Sequence, residues 1–215
     1  KIYLNMKPKL SYAVFGDGSW ATAIIKMLCE NLDEIYWYVR KPQTIEYIQK
    51  EKHNPKYLSS VEIDISRLNL SCDINFVASK ADILIFVIPS AFIYEQVNHI
   101  SVDISTKIIV SAVKGIVPET GLLVAEHFSK TSNVPMSNIA VIGGPCHAEE
   151  VALERLSYLT IACTNPEISK EVSSRLSSHY IKARIHEDII GAEHAAMLKN
   201  IYAIAAGISH GLGYG

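Results

Sequence analysis

The sequence has little of what marks several classes of protein. Its four cysteines are scattered, without a Cys-x-x-Cys pair or a metal-ligand spacing, so we expect free thiols, a cytoplasmic location and no metal. No apolar run reaches membrane-spanning length, and the first residues carry no signal-peptide pattern. The net charge of −2 gives no general attraction to nucleic acid. An apolar content of 49% instead predicts a globular chain with a sizeable core.

Apolar strand-like runs alternate with amphipathic helix-length segments along most of the chain. The alternation predicts βαβ units and an α/β fold with a doubly wound, mostly parallel, Rossmann-like sheet. The unbroken apolar run at 83–88 is typical of a central strand. We predict strands near 10–15, 35–39, 83–88, 107–112, 138–142, 157–163 and 181–185, and helices near 19–31, 42–52, 91–99, 119–130, 166–177 and 189–209.

The last segment differs from the rest. Residues 190–211 form an Ala- and Ile-rich stretch with little charge, which predicts a long helix that must be buried on most sides. The sequence ends a few residues later, so we expect most of the partners for that helix to be missing. We therefore predict a first domain at 1–188, and at 189–215 the first helix of an all-α domain whose remainder is absent.

A glycine-rich stretch follows the first predicted strand and opens the first predicted helix. Gly16, Gly18 and Ala21 fit the pattern G-x-G-x-x-[G/A], in which the glycines allow a tight turn and close approach of a pyrophosphate. Free N–H groups at the helix start, from Ser19 onward, would then hold the phosphates. The alternative is a Gly-rich turn without a ligand. Trp20 either covers a cofactor or belongs to the core.

The end of the second strand usually decides which coenzyme binds. An acid there contacts the ribose of NAD, whereas an Arg accommodates the 2′-phosphate of NADP. Here the strand ends in Arg40 and Lys41, which favours NADP over NAD. Alternatively, the two cations are simply solvated at the start of the next helix.

Two lysines are candidates for chemistry. Lys114 follows an apolar strand, and Lys199, with Asn200 beside it, lies within the Ala-rich helix. A lysine in apolar surroundings is costly to bury as a cation and can be tuned to exchange a proton. The alternative for Lys199 is a side chain that reaches past the apolar residues to solvent.

Two strand ends complete the set of candidates. Pro89 ends the 83–88 run, where ligands bind in open α/β sheets. The stretch from Gly144 through Cys146 to Ala148 follows another strand and opens a short helix, so its backbone can contact a ligand. Cys146 and His147 are adjacent, a geometry poorly suited to a nucleophile and its base, so we do not assign Cys146 that role.

Taken in order, these elements resemble the NAD(P)-dependent glycerol-3-phosphate dehydrogenases of bacterial type. The resemblance is carried by short motifs spread over the whole chain: Gly16–Ala23, Asn54–Leu58, Val87–Ser90, Lys114–Ile116, Gly144–Pro145, Ala148–Val151, Leu198–Asn200 and Gly207–Gly213. It implies hydride transfer between dihydroxyacetone phosphate and sn-glycerol 3-phosphate, with NAD(H) or NADP(H) as coenzyme, in phospholipid synthesis. A homodimer is compatible with it.

The resemblance also implies a role for each matching residue. Lys199 would exchange the proton at the reacting carbonyl, Lys114 would contact the substrate, and Asn200 would position groups around Lys199. Gly144 and Cys146 fall where the family contacts substrate. The coenzyme would contact Gly16, Gly18, Ser19, Trp20, Ala21, Arg40, Lys41, Pro89, Lys114 and Ala148.

Some features depart from the family. Asp17 places an acid between the glycines, where we expect it to point to solvent, and Cys146 replaces the usual Ser or Thr. The family also continues past this chain with an Asp near the catalytic lysine and an Arg-Asn pair for the substrate phosphate, so we expect this polypeptide to be inactive by itself. Two alternatives remain: a dehydrogenase of the β-hydroxyacid or ketopantoate type, and a non-catalytic nucleotide-binding module.

Overall fold

A computed structural model of the protein describes residues 9–214. The strands of that part are β1 (Tyr12–Phe15), β2 (Ile35–Tyr38), β3 (Leu68–Ser71), β4 (Ile83–Phe86), β5 (Ile108–Ser111), β6 (Ile116–Val117), β7 (Leu122–Leu123), β8 (Ile139–Gly143), β9 (Ser157–Ala162) and β10 (Ile181–His186). The helices are α1 (Ser19–Cys29), α2 (Pro42–Glu51), α3 (Ile74–Lys80), α4 (Ser90–Asn98), α5 (Val124–Thr131), α6 (Ala148–Ala152), α7 (Pro166–Leu176) and α8 (Ile189–Gly211).

One 8-stranded sheet organises the fold, in the order β10-β9-β8-β5-β4-β1-β2-β3. Neighbouring strands are parallel except for β8 and β9, which are antiparallel. The predicted α/β fold with a mostly parallel, Rossmann-like sheet is therefore confirmed. From β1 the chain runs outward to β3 and then returns to β4 on the other side of β1, which creates a crevice at the carboxyl ends of these two strands.

Helices cover both faces of the sheet, and each face has its own core. Along β1, Tyr12 and Val14 enter one core while Ala13 and Phe15 enter the other, because successive strand side chains point to opposite faces. The first core includes residues of α1, α6 and α7, and the second includes residues of α3, α4 and α5. Strands buried on both faces explain the unbroken apolar runs seen in the sequence.

Two of the predicted assignments differ from the structure. The prediction missed β3 and α3, because β3 is a four-residue edge strand with a weak apolar pattern and α3 is a short helix of seven residues. The predicted helix at 119–130 is wrong at its start: a hairpin of β6 and β7 occupies 116–123, and α5 begins only at Val124. Gly121, with a φ of +66°, makes the hairpin turn and cannot lie within a regular helix.

The long helix α8 is present as predicted, and only its first part packs against the rest of the described residues. Ile189 and Glu193 near its start are buried, where α8 packs against β8, β9 and α5. Beyond Lys199 every described residue of the chain is exposed, including Ile204 and Ile208 at 64% and 59%. The apolar residues of its second half therefore have no packing partner among residues 9–214. No helix within this range is long and apolar enough to cross a membrane.

Candidate active site

The turn after β1 requires glycine at Gly16. Its φ of +128° is accessible mainly to glycine, and a Cβ atom there would collide with the backbone oxygen of Val87, the residue that follows β4. The buried indole of Trp37 donates a hydrogen bond to the Gly16 carbonyl at 2.7 Å. Strands on both sides of β1 therefore fix this turn.

Gly18 has a different reason to be glycine. It is the N-cap of α1, and a Cβ atom added there would meet no atom of the protein within 4 Å. The space in front of it is thus open to a ligand, and the first N–H groups of α1 lack intrahelical acceptors. Ala21, one turn further, is fully buried where α1 packs on the sheet. This arrangement suits a bound phosphate group.

A buried asparagine holds a second loop against this turn. Asn54 is 1% exposed, and its side-chain amide donates to the Asp17 carbonyl at 3.1 Å and to the Thr22 hydroxyl at 2.9 Å. Its side-chain oxygen accepts from the N–H groups of Lys56 and Tyr57 at 3.0 and 3.1 Å. Sequence reasoning assigned Asn54 no role, although its position before a proline is typical of such a turn.

Two adjoining cavities follow the carboxyl ends of β1, β2 and β4. The first, of about 270 Å³, is lined by residues that include Gly16, Asp17, Gly18, Tyr38, Arg40 and Pro89. The second, of about 460 Å³, continues from Gly18 and Pro89 past Ser19, Trp20 and Ala21 to Lys114. Together they form a trough across the crevice between β1 and β4.

The third cavity, of about 550 Å³, brings together residues that are far apart in the sequence. Its lining includes Ser19, Trp20, Lys114, Gly144, Cys146, Ala148 and Lys199. Ser19, Trp20 and Lys114 also line the second cavity, so the two spaces adjoin. Trp20 packs partly on the core and also lines both cavities, so its position is compatible with each of the two alternatives considered for it.

The backbone shapes the wall of this cavity at Gly144. Its φ is +127°, and a Cβ atom would lie 2.5 Å from the carbonyl oxygen of Tyr158 in β9. Glycine therefore lets β8 end in a tight turn against β9. The turn presents Cys146 and the start of α6 to the cavity.

Two lysines supply the positive charge of the cavity. Lys199 is half-buried and Lys114 is exposed, so neither ammonium is sealed in an apolar environment. Both act on Cys146, which is 8% exposed: burial raises the pKa of its thiol, and the two nearby lysines oppose that rise. A protonated thiol is a poor nucleophile, so burial of Cys146 works against a nucleophilic role, which the sequence analysis did not assign to it.

Some residues named in the sequence analysis lie apart from this cavity. Asn200 is exposed and does not line it. Lys41 lines a small cavity of about 60 Å³ together with Arg40. Asp17 does not point freely to solvent as expected: its side chain is 20% exposed and its Oδ1 lies 3.8 Å from Nη2 of Arg40.

Comparison with known families agrees with this geometry. Residues 11–169 match the N-terminal domain of NAD-dependent glycerol-3-phosphate dehydrogenase. The chain belongs to this family. Residues 188–215 match the family's C-terminal domain. A glycerol-3-phosphate dehydrogenase [NAD(P)+] from Latilactobacillus sakei is 33% identical over 211 residues, which cover 96% of this chain and 62% of that protein.

Solved structures of the same family have the same fold. Glycerol-3-phosphate dehydrogenase from Coxiella burnetii is 28% identical with a TM-score of 0.82, over 96% of this chain and 63% of that one. The enzyme from Plasmodium falciparum is 25% identical with a TM-score of 0.84, over 95% of this chain and 60% of that one. The chain thus spans less than two thirds of the relatives that it matches.

Proposed function

We propose that this chain is the coenzyme-binding part of a glycerol-3-phosphate dehydrogenase, which interconverts dihydroxyacetone phosphate and sn-glycerol 3-phosphate for glycerophospholipid synthesis. We assign residues 1–188 to the coenzyme domain and 189–215 to the first helix of the helical domain. One observation carries the proposal. Lys114 and Lys199 meet in one cavity that adjoins the trough over the glycine turn.

The residues along the trough fit a nicotinamide coenzyme. The open space at Gly18 and the unpaired N–H groups at the start of α1 suit a pyrophosphate. Gly16, Pro89 and Arg40 line the part suited to the adenosine. Ser19, Trp20, Ala21, Lys114 and Ala148 line the parts that lead to the third cavity, where the nicotinamide ring would lie.

The side chains of the third cavity suit reduction of a ketone. The bound coenzyme supplies the hydride. Negative charge that develops on the carbonyl oxygen is stabilised by the ammonium groups of Lys114 and Lys199, and Lys199 then donates the proton to that oxygen. Gly144 and Cys146 contribute backbone and thiol contacts to the substrate. Asn200, which is exposed and does not line the cavity, would orient groups around Lys199 from outside it.

Binding and turnover are tested separately. Calorimetry of residues 1–215 with NADH and NADPH should detect binding of at least one, and no heat with either contradicts the proposal.

In the full-length protein, dihydroxyacetone phosphate should cause oxidation of the reduced coenzyme, and Lys199→Ala should abolish this oxidation while coenzyme binding remains. Retained turnover in this variant would remove Lys199 from the chemistry. Activity only with β-hydroxy acids or ketopantoate would identify a different dehydrogenase.

A further inference from the structure

A small basic cavity lies beside the part of the trough suited to the adenosine. It measures about 60 Å³, and its lining contains three cations, Arg40, Lys41 and Lys56, around the single carboxylate of Asp17. Asp17, Arg40 and Tyr57 line both this cavity and the 270 Å³ cavity, so the two spaces are neighbours. A group attached to the adenosine ribose could therefore enter the basic cavity.

The position of Lys56 is set by the buried asparagine described above. The backbone N–H of Lys56 donates to Oδ1 of Asn54, while the side-chain amide of Asn54 donates to the carbonyl of Asp17. One buried side chain thus ties the loop that carries Lys56 to the turn that carries Asp17. The backbones that carry these two opposite charges are fixed relative to each other before any ligand arrives.

Asp17 supplies a carboxylate that the second strand lacks. No acid ends β2, where such a residue would contact the ribose hydroxyls of NAD. Asp17 reaches the same region from the glycine turn, since its Oδ1 lies 3.8 Å from Nη2 of Arg40, just after β2. The carboxylate also competes with any anionic ligand for Arg40, because both would bind the same guanidinium.

We propose that Asp17 and Lys56 together determine coenzyme selectivity: Lys56 binds a 2′-phosphate on the adenosine ribose, and Asp17 favours the free 2′-hydroxyl by accepting its hydrogen bond and holding Arg40. The inference rests on the proposed binding of a nicotinamide coenzyme. With Arg40 and Lys41 beside them, the opposite preferences of these two residues allow NADH and NADPH to bind the same site.

The test compares two small probes that differ only by the phosphate in question. Affinities of 2′,5′-ADP and 5′-AMP are measured by calorimetry on residues 1–215, for the unmodified chain and for Lys56→Gln and Asp17→Asn. Lys50→Gln is the matched control, because Lys50 lies on α2, is paired with Glu51 at 3.0 Å, and does not line the cavity. NADH and NADPH are titrated in parallel.

Each substitution should shift the ratio of the two affinities in its own direction. Lys56→Gln should weaken 2′,5′-ADP roughly five-fold and 5′-AMP less than about two-fold, as expected for the loss of one exposed cation from an anion site. Asp17→Asn should raise the ratio of 2′,5′-ADP to 5′-AMP affinity by roughly the same factor. Lys50→Gln should leave the ratio unchanged.

The outcomes separate this inference from the proposed function. If NADH or NADPH binds but neither variant changes the ratio, the selectivity role of Asp17 and Lys56 is wrong and the proposed function stands. An equal loss for both probes in Lys56→Gln also overturns the role of Lys56. If the unmodified chain binds neither coenzyme, the proposed function fails and this subsite fails with it.

Discussion

Trp37 donates the hydrogen bond of its indole N–H to the carbonyl of Gly16 at 2.7 Å, and Trp37 is fully buried. A side chain from β2 thereby fixes the turn that follows β1. The bond satisfies a carbonyl that the turn would otherwise leave unpaired inside the protein. The large aromatic residue in β2 therefore serves both the core and the binding turn.

Replacing Trp37 by Phe should loosen this turn. The variant loses the bond to Gly16 and part of a buried ring, so we expect the free energy of unfolding to fall by about 2–4 kcal/mol. Denaturant unfolding measures the loss. Tyr36→Phe is the control, since its hydroxyl contacts only the Glu34 carboxylate, and it should change stability by less than about 0.5 kcal/mol. Equal effects of both substitutions would contradict a specific role for the indole.

The two glycines of the turn should respond differently to alanine. Gly16→Ala puts a methyl group against the Val87 oxygen at a φ of +128°, so we expect a loss of about 2–4 kcal/mol of stability. Gly18→Ala meets no protein atom, so stability should change by less than about 1 kcal/mol.

The affinity for NADPH should be a further difference between the two glycine positions. Gly18→Ala fills the space proposed for the pyrophosphate, and we expect it to weaken NADPH by at least roughly ten-fold. Calorimetry on the folded variant makes the measurement. Unchanged affinity in Gly18→Ala would show that the pyrophosphate lies elsewhere.

Asn54→Ala should be among the more damaging polar substitutions. It removes four hydrogen bonds and leaves the Asp17 carbonyl and two N–H groups without a partner, a cost of about 2–4 kcal/mol. Thermal unfolding checks the prediction. Asn69→Ala is the control, because Asn69 is exposed and its side-chain amide donates to Glu34. The prediction is wrong if the two variants unfold at the same temperature.

Glu193 should make stability depend on pH. Its carboxyl is 2% exposed, and burial raises its pKa to about 7, against the opposing effect of N–H donors from Val124 and Ala125. The nearby Glu126 carboxylate adds to the rise and His194 reduces it. Because the folded-state pKa lies above the unfolded value, the stabilisation is complete below the unfolded pKa of about 4.3 and is lost as pH rises through about 7.

Substitution isolates this effect. Between pH 4.5 and 7.5 the unmodified chain should lose up to about 3 kcal/mol relative to Glu193→Gln, which cannot ionise. Urea unfolding at several pH values gives the difference. Glu46→Gln, at an exposed position on α2, should follow the unmodified chain throughout. Parallel curves for the unmodified chain and Glu193→Gln would show that folding does not raise the pKa of Glu193.

Local patterns were sufficient for most of the sheet and for the glycine turn. The apolar run at 83–88 and the spacing of Gly16, Gly18 and Ala21 reflect backbone and burial requirements that act over a few residues. Local patterns failed at β3 and at the start of α5. β3 is a short edge strand whose pairing partner, β2, lies elsewhere in the sequence. The residues before α5 form a hairpin, whose strands β6 and β7 pair with each other within a few residues of Gly121.

By itself the sequence determined the class of fold and the glycine turn after the first strand, and it named two lysines as candidates for proton exchange, because periodicity and residue type are local properties. Only the tertiary structure decided which distant residues come together: Lys114 and Lys199 line one cavity, Asn54 binds Thr22, and Asp17 lies beside Arg40. These contacts depend on the order of the strands in the sheet and on the direction in which each loop leaves it. No short stretch of sequence contains that information, because it arises from packing over the whole domain.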